Sequence, residues 1–166
     1  MATISPPKID MRPEQPYLGI RSLAPFKGLS KVIDQLSQQL TRWVAANHVE
    51  TSGSPFLRYH VIDMHGMLDI TYAVPLHSAL PGNGLVTPGV LPAGRYASLV
   101  YSGGGISGNR ALIEWVRGNG LQFDSWDTEQ GDNFRSRYET FLTDPRLEPR
   151  KRRWQFEVAI KLTDND

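Results

Sequence analysis

The sequence contains no cysteine, almost no net charge and no long apolar run. Without cysteine among its 166 residues, the chain has no disulfide, no thiolate nucleophile and no cysteine-ligated metal. A formal net charge of +1 argues against a nucleic-acid binder that depends on overall charge, so we expect no direct nucleic-acid binding. No stretch approaches the ~20 apolar residues of a membrane span, and the N-terminus lacks an apolar signal segment. We therefore expect a soluble, cytoplasmic protein without membrane contact.

Several motifs that carry chemistry are also incomplete. The glycines from Gly103 to Gly105 precede a predicted helix, but no Gly-Lys-Ser/Thr follows them, so a flexible connection is a better interpretation than a phosphate loop. His60 and His65 fall near one predicted hairpin, whose polar tip needs no metal to explain it. The basic cluster between residues 146 and 153 is typical of a solvated turn beside an edge strand. We expect neither a metal ion nor a cofactor.

One string of residues occurs twice, as Leu40-x-x-Trp43-Val44-x-x-Asn47 and as Leu112-x-x-Trp115-Val116-x-x-Asn119. Each copy follows a strand-like segment and precedes two more, so we predict a duplicated strand-helix-strand-strand unit. Two such units are too small to be stable alone, which favours one shared sheet. The prediction is a single domain over 1–166, with repeat one at about 7–76, a crossover at 77–94 and repeat two at about 95–162.

Alternating and helical periodicities predict the individual elements. Apolar residues spaced by three and four predict amphipathic helices around the two copies of the string. Residues 1–16 are rich in proline and predict an extended arm with a short edge strand, and residues 121–135 predict an irregular polar segment. The predicted strands are 17–23, 56–62, 68–76, 96–102, 137–142 and 154–162.

Glu139 is the most specific candidate for a functional residue. On the predicted strand 137–142, alternation puts Glu139 on the same face as Arg137 and Phe141. A carboxylate among aromatic side chains inside a sheet is costly unless something pairs with it. One interpretation is a salt bridge with Arg137 or Arg58, or a solvated sheet face. The other is an aromatic pocket in which Glu139 binds a cationic ligand.

Four short motifs follow one another in a specific order and, with a terminal strand, cover the chain from about Pro7 to Leu162. They are Leu91-Pro92-Ala93-Gly94-Arg95-Tyr96-Ala97, Tyr101-x-Gly103-Gly104, Leu112-x-x-Trp115 and Tyr138-Glu139-x-Phe141-Leu142-x-Asp144-Pro145. In order and spacing they resemble the GyrI-like small-molecule-binding family, also known as the effector-binding domains of bacterial multidrug-responsive regulators.

The resemblance implies an α+β fold in which a duplicated β-α-β-β unit forms one antiparallel sheet, with helices on one side and a ligand cleft between the repeats. It places the family's acidic residue on Glu139 and implies a lipophilic, cationic small molecule as the ligand. A phenylalanine replaces the usual tyrosine two residues later, which removes a hydroxyl from the site. The residues expected to bind the ligand are Glu139, Phe141, Tyr59, Tyr72, Phe156, Tyr101 and Trp115.

Two other functions are open. Some relatives resemble hydrolases of electrophilic toxins, in which Glu139 would orient or deprotonate water and Trp115 and Tyr101 are the nearest matches to the other residues involved. Others are thought to be protein-interaction modules that inhibit a partner such as DNA gyrase. We prefer binding to catalysis and assign no catalytic residue. Because no DNA-binding domain precedes the motifs, we expect a stand-alone module, as a homodimer or with a separate protein partner.

Overall fold

The computed structural model describes residues 3–164. Eleven strands in this part of the chain form one antiparallel sheet, and two helices pack on it, which confirms the predicted α+β class. The helices are α1 (Leu29–Ala46) and α2 (Gly105–Gly118). The strands are β1 (Thr3–Ile4), β2 (Lys8–Arg12), β3 (Gln15–Pro25), β4 (Phe56–Ile62), β5 (Met67–Pro75), β6 (Val86–Leu91), β7 (Gly94–Ser102), β8 (Ser125–Thr128), β9 (Gly131–Phe134), β10 (Arg137–Phe141) and β11 (Gln155–Lys161).

The strands follow one another across the sheet in the order β1-β7-β11-β10-β4-β5-β3-β6. In addition, β2 pairs with β7, and the β8–β9 hairpin joins β4. The strands β3, β5 and β4 on one side mirror β7, β11 and β10 on the other, with the β4–β10 pair at the centre. A duplicated β-α-β-β unit would give this order, and the duplication itself stays a prediction.

The sheet curls until its two ends approach each other. Strand β2 lies at one end and β3 near the other, yet only Pro13 and Glu14 separate them. Likewise only Pro92 and Ala93 separate β6 from β7. A connection of three peptide steps spans at most about 11 Å, so the opposite ends of the sheet must lie close together.

Both helices lie on one face of the sheet because each carries a single apolar stripe. Leu36 and Leu40 of α1 are buried against β3 and β5, and Leu112 and Val116 of α2 are buried against β7. The strand register places the sheet residues of both apolar clusters on the same face. Within residues 3–164, neither helix combines the length and the apolar character needed to cross a membrane.

The face away from the helices lines the inside of the curl. Four aromatic rings lie in contact there in series, with centroids 5.4 to 5.9 Å apart: Tyr17, Phe56, Tyr138 and Tyr96. Arg12 of β2 donates hydrogen bonds of 2.8 Å to the Tyr138 hydroxyl and to the Glu157 carboxylate. These bonds attach β2 to β10 and β11 on the inside of the curl.

Two segments differ from the sequence prediction. The crossover 77–94 contains β6, an edge strand that pairs with β3 although it includes Pro88 and Gly89. An edge strand tolerates proline because one of its sides needs no partner, and Gly89 is required because a Cβ there would lie 2.4 Å from the Tyr17 ring. The segment 121–135, predicted to be irregular, contains the β8–β9 hairpin, whose exposed first strand has no buried face to reveal it by alternation.

Candidate functional site

The two helices leave the centre of the sheet between them. Because α1 packs on β3 and β5 while α2 packs on β7, the central strands β4 and β10 form the floor of a groove. The floor has Glu139 of β10 at its middle, directly opposite Leu57 of β4 and Val158 of β11. We call this feature the interhelical groove.

Glu139 is 8% exposed and is held by hydrogen bonds from three neighbours. The Tyr59 hydroxyl donates to Glu139 Oε2 at 2.7 Å. The Tyr101 hydroxyl donates to Glu139 Oε1, and Asn109 Nδ2 of α2 donates a longer bond of 3.4 Å to the same oxygen. A carboxylate has about four acceptor positions, so at least one remains for a further donor.

The two tyrosines act as neutral donors. Burial raises the pKa of Tyr59 well above its ordinary value, and the adjacent Glu139 carboxylate raises it further. Burial and Glu139 raise the pKa of Tyr101 in the same way. Because both hydroxyls keep their protons at neutral pH, each donates a hydrogen bond to a carboxylate oxygen.

Glycines bring α2 close enough to place Tyr101 and Asn109 at Glu139. A Cβ on Gly108 would lie 2.5 Å from the Tyr101 ring, and a Cβ on Gly105 would lie 3.1 Å from the Tyr101 hydroxyl. The packing role therefore belongs to Gly105, the first residue of α2, and to Gly108 within the helix, whereas a Cβ on Gly104 would meet nothing within 4 Å. Asn109 follows Gly105 by one helical turn and donates to its carbonyl at 2.9 Å.

Arg137 is a second buried charge on the groove floor. It is 8% exposed, and its guanidinium carbon lies 4.7 Å from the Phe134 ring centroid and 6.0 Å from that of Tyr59. Its Nη2 donates to Asn109 Oδ1 at 2.7 Å, so Asn109 connects the two charged side chains. Burial lowers the pKa of Arg137, and Glu139 is the largest influence that opposes this.

The salt bridge considered between Glu139 and Arg58 does not form. Arg58 pairs with Tyr138 in the strand register and therefore lies on the face inside the curl. Its Nη1 donates to the Tyr17 hydroxyl at 3.0 Å and to the Val90 carbonyl at 2.9 Å. Side chains that project from opposite faces of a sheet cannot meet, so the interpretation of Arg58 as the partner of Glu139 is wrong.

An aromatic row crosses the groove floor beside Glu139. The Tyr72 ring lies 5.8 Å from Phe141, Phe141 lies 5.6 Å from Phe156, and Phe156 stacks on Tyr101 at 5.4 Å. Tyr72 and Tyr101 are buried, whereas the two phenylalanines are half-buried. Four strands thus contribute one continuous apolar surface.

Next to this row, a cavity of about 390 Å³ opens beneath the C-terminal half of α1. Its wall is mostly apolar and includes Tyr72, Val74, Pro55, Val44 and Val49, together with threonine hydroxyls. Tyr72 therefore belongs both to the wall of this cavity and to the aromatic row.

Hydrogen bonds or ring contacts connect six of the seven predicted ligand-binding residues, and within residues 3–164 no such contact connects Trp115 to them. Glu139, Tyr59 and Tyr101 share hydrogen bonds, and the other three belong to the aromatic row. The half-buried Trp115 packs against the apolar cluster under α2, which includes Tyr101 and also contacts Phe156. It shares a helix stripe with the buried Leu112, which is the sequence signal for a residue of the core.

Sequence reasoning missed Asn109 and gave Arg137 only a role as a salt-bridge partner. Asn109 carries a weak signal, because asparagine is a poor residue for a helix interior. Arg137 does not contact Glu139 in an ion pair within the described chain, and its stacking against Phe134 depends on the β8–β9 hairpin. That hairpin was itself absent from the prediction.

No protein-family model and no curated protein matches the sequence, whereas solved structures match its fold. The crystal structure of the EcmrR C-terminal domain has a TM-score of 0.68 and 16% identity, over 96% of this chain and 98% of that one. EcmrR in a complex with DNA has a TM-score of 0.70 and 17% identity over 99% of this chain, which spans only 58% of the EcmrR chain.

Two further structures resemble the chain over most of their length. SAV2435 bound to tetraphenylphosphonium has a TM-score of 0.55 and 9% identity, over 96% of this chain and 94% of that one. A hydrolase from Listeria innocua has a TM-score of 0.63 and 12% identity, over 95% and 91%. At these identities the likenesses establish the fold. The shared fold agrees with the one that the motifs implied.

Proposed function

We propose that the protein binds a lipophilic, cationic small molecule in the interhelical groove, with Glu139 as its counter-charge. One observation carries the proposal: a carboxylate that is 8% exposed, beside half-buried aromatic rings, is held by tyrosine donors rather than by an ion pair. A buried charge without an opposite charge in contact is costly, so it favours a ligand that supplies one.

The aromatic row provides the rest of the binding energy. Burial of apolar surface is worth about 25 cal/mol per Å², so a ligand that buries ~200 Å² on the half-buried Phe141 and Phe156 gains about 5 kcal/mol. Ring faces also attract a cation by about 0.5–2 kcal/mol. The fold shared with SAV2435 bound to tetraphenylphosphonium, itself a lipophilic cation, supports this ligand class.

The test compares a cationic and an uncharged ligand on matched variants. Calorimetric titration with tetraphenylphosphonium should give about 10- to 100-fold weaker binding to Glu139→Gln, because a charge pair ~6 Å apart is worth ~1.4–2.8 kcal/mol at an effective dielectric constant of ~20–40. The uncharged triphenylphosphine oxide should not lose affinity for this variant, because its phosphoryl oxygen only accepts hydrogen bonds and therefore gains nothing from a carboxylate. Glu114→Gln removes the same charge from the exposed side of α2 and should leave both affinities unchanged. Equal losses for the two ligands would defeat the counter-charge.

A second candidate is hydrolysis of an electrophilic small molecule, supported by the fold shared with a hydrolase from Listeria innocua. Glu139 would orient or deprotonate an attacking water, with Tyr59 and Tyr101 fixing the carboxylate. Turnover separates the two functions. Conversion that stops after one equivalent supports binding, whereas many turnovers that vanish in Glu139→Gln support catalysis.

A further inference from the structure

The interhelical groove contains a charge pair rather than a single charge. Glu139 and Arg137 are two residues apart on β10, so both side chains project from the same face about 7 Å apart along the strand. Each is 8% exposed. An arginine keeps its charge at all ordinary pH values, so the floor of the groove has a negative and a positive pole.

The two poles are separated by Asn109 instead of neutralising each other in contact. Asn109 donates from Nδ2 to Glu139 and accepts at Oδ1 from Arg137. A structural ion pair would bring the two charged groups into direct, bidentate contact, since that geometry best offsets the cost of burying them. The asparagine instead holds each charge in a fixed, separate position.

Arg137 also has unused hydrogen-bonding capacity. Its Nε is buried and has no hydrogen-bond partner among residues 3–164. The side chain is otherwise held by the rings of Phe134 and Tyr59 and by the one bond to Asn109. A buried donor without an acceptor costs roughly 1–3 kcal/mol, so a ligand acceptor toward which the guanidinium turned would recover that cost.

We propose that Arg137 determines ligand specificity and that the preferred ligand is a lipophilic zwitterion, with its cationic group at Glu139 and a carboxylate or similar acceptor at Arg137. This inference rests on the proposed function and refines its ligand class. A plain cation at Glu139 is repelled by the nearby guanidinium, whereas a zwitterion of matching polarity satisfies both poles.

Two dyes that differ in one charge test the proposal. Rhodamine B is zwitterionic at pH 7, and its ethyl ester is a cation of nearly the same shape. Apolar burial alone favours the ester, because each added methylene contributes about 0.8 kcal/mol. We expect fluorescence anisotropy to show the opposite order for the wild-type protein, with the zwitterion bound at least about threefold more tightly.

Variants of Arg137 then assign the preference to this residue. Arg137→Met should weaken the zwitterion and strengthen the ester, so that the ratio of the two affinities changes by about tenfold or more. Arg137→Lys keeps the charge and should retain part of the preference. Arg110→Met removes a charge from the exposed side of α2 and should leave the ratio unchanged.

The outcomes separate this inference from the proposed function. If the wild type prefers the ester and Glu139→Gln weakens it, the proposed function stands and the zwitterion is refuted, whether or not the Arg137 variants fold. If the wild type prefers the zwitterion but Arg137→Met leaves the ratio unchanged, the role of Arg137 is wrong. Binding of neither dye overturns the proposed function and this inference with it.

Discussion

Adding one methyl group at Gly108 should disrupt the candidate site, although alanine is the better helix residue. The new Cβ would lie 2.5 and 2.6 Å from two atoms of the Tyr101 ring, well inside ordinary contact distance. The ring cannot retreat, because it is 4% exposed and stacks on Phe156 on strand β11. Either α2 moves away from the sheet or Tyr101 withdraws its hydroxyl from Glu139.

Overpacking costs about 1–3 kcal/mol and should cost about 2–3 kcal/mol here, because the ring that would be 2.5 Å away cannot retreat; the helix propensity of alanine returns about 1 kcal/mol. We therefore expect Gly108→Ala to lower the free energy of unfolding by about 1–2 kcal/mol, which lowers Tm by about 3–6 °C for a chain of this size. Binding of a cationic dye should weaken as well, because the carboxylate loses a donor that fixes its position.

Gly118 provides the matched control within the same helix. It ends α2, and a Cβ there would meet nothing within 4 Å. Gly118→Ala should raise the free energy of unfolding by up to about 1 kcal/mol, and therefore raise Tm slightly. It should leave dye binding unchanged. Thermal unfolding and dye titration of the two variants decide the matter. A Gly108→Ala protein that is as stable as Gly118→Ala and binds dye normally would refute the packing argument.

Two further predictions concern stability. Burial lowers the pKa of His60 to about 4. Between pH 6.5 and 4 only the unfolded chain takes up a proton on this histidine, so the folded protein loses stability as the pH falls through this range. After allowance for solvent screening, we expect urea denaturation to show a loss of about 2 kcal/mol. His60→Asn should flatten this dependence, and an unchanged slope, or the same effect from the exposed control His65→Asn, would contradict the assignment. Arg12→Met should cost about 2 kcal/mol of unfolding free energy, because it leaves the buried Tyr138 hydroxyl and the half-buried Glu157 carboxylate without this donor. Lys8→Met, which breaks an exposed 3.8 Å ion pair, should cost less than about 0.5 kcal/mol. Similar small losses for both would show that Arg12 does not hold the N-terminal strand.

Periodicity predicted those elements whose burial follows a simple pattern. The strand 56–62 has the predicted bounds, and both helices lie where the apolar stripes place them. By contrast, β6 contains Pro88 and Gly89, two residues that usually interrupt strands. Their tolerance depends on an edge position and on close contact with Tyr17, which are tertiary facts that no local window contains.

The candidate site was predictable to the extent that alternation defines a face. Strand parity put Glu139 and Phe141 on one surface, and the resemblance to a known fold added aromatic residues from other strands. The register between strands was not available from the sequence, so Arg58 could be considered as a partner although it lies on the other face. The bridge through Asn109 depends on how closely α2 approaches the sheet, which is set by glycines whose role is visible only in contact with Tyr101.

The most direct test of the central claim is a crystal structure of the protein with tetraphenylphosphonium. We expect the ligand in the interhelical groove, with phenyl groups on Phe141 and Phe156 and its phosphorus within about 6 Å of the Glu139 carboxylate. Continuation of a phenyl group toward the 390 Å³ cavity under α1 would agree with the account. A ligand bound elsewhere on the surface, with the groove closed and the Glu139 hydrogen bonds unchanged, would contradict it.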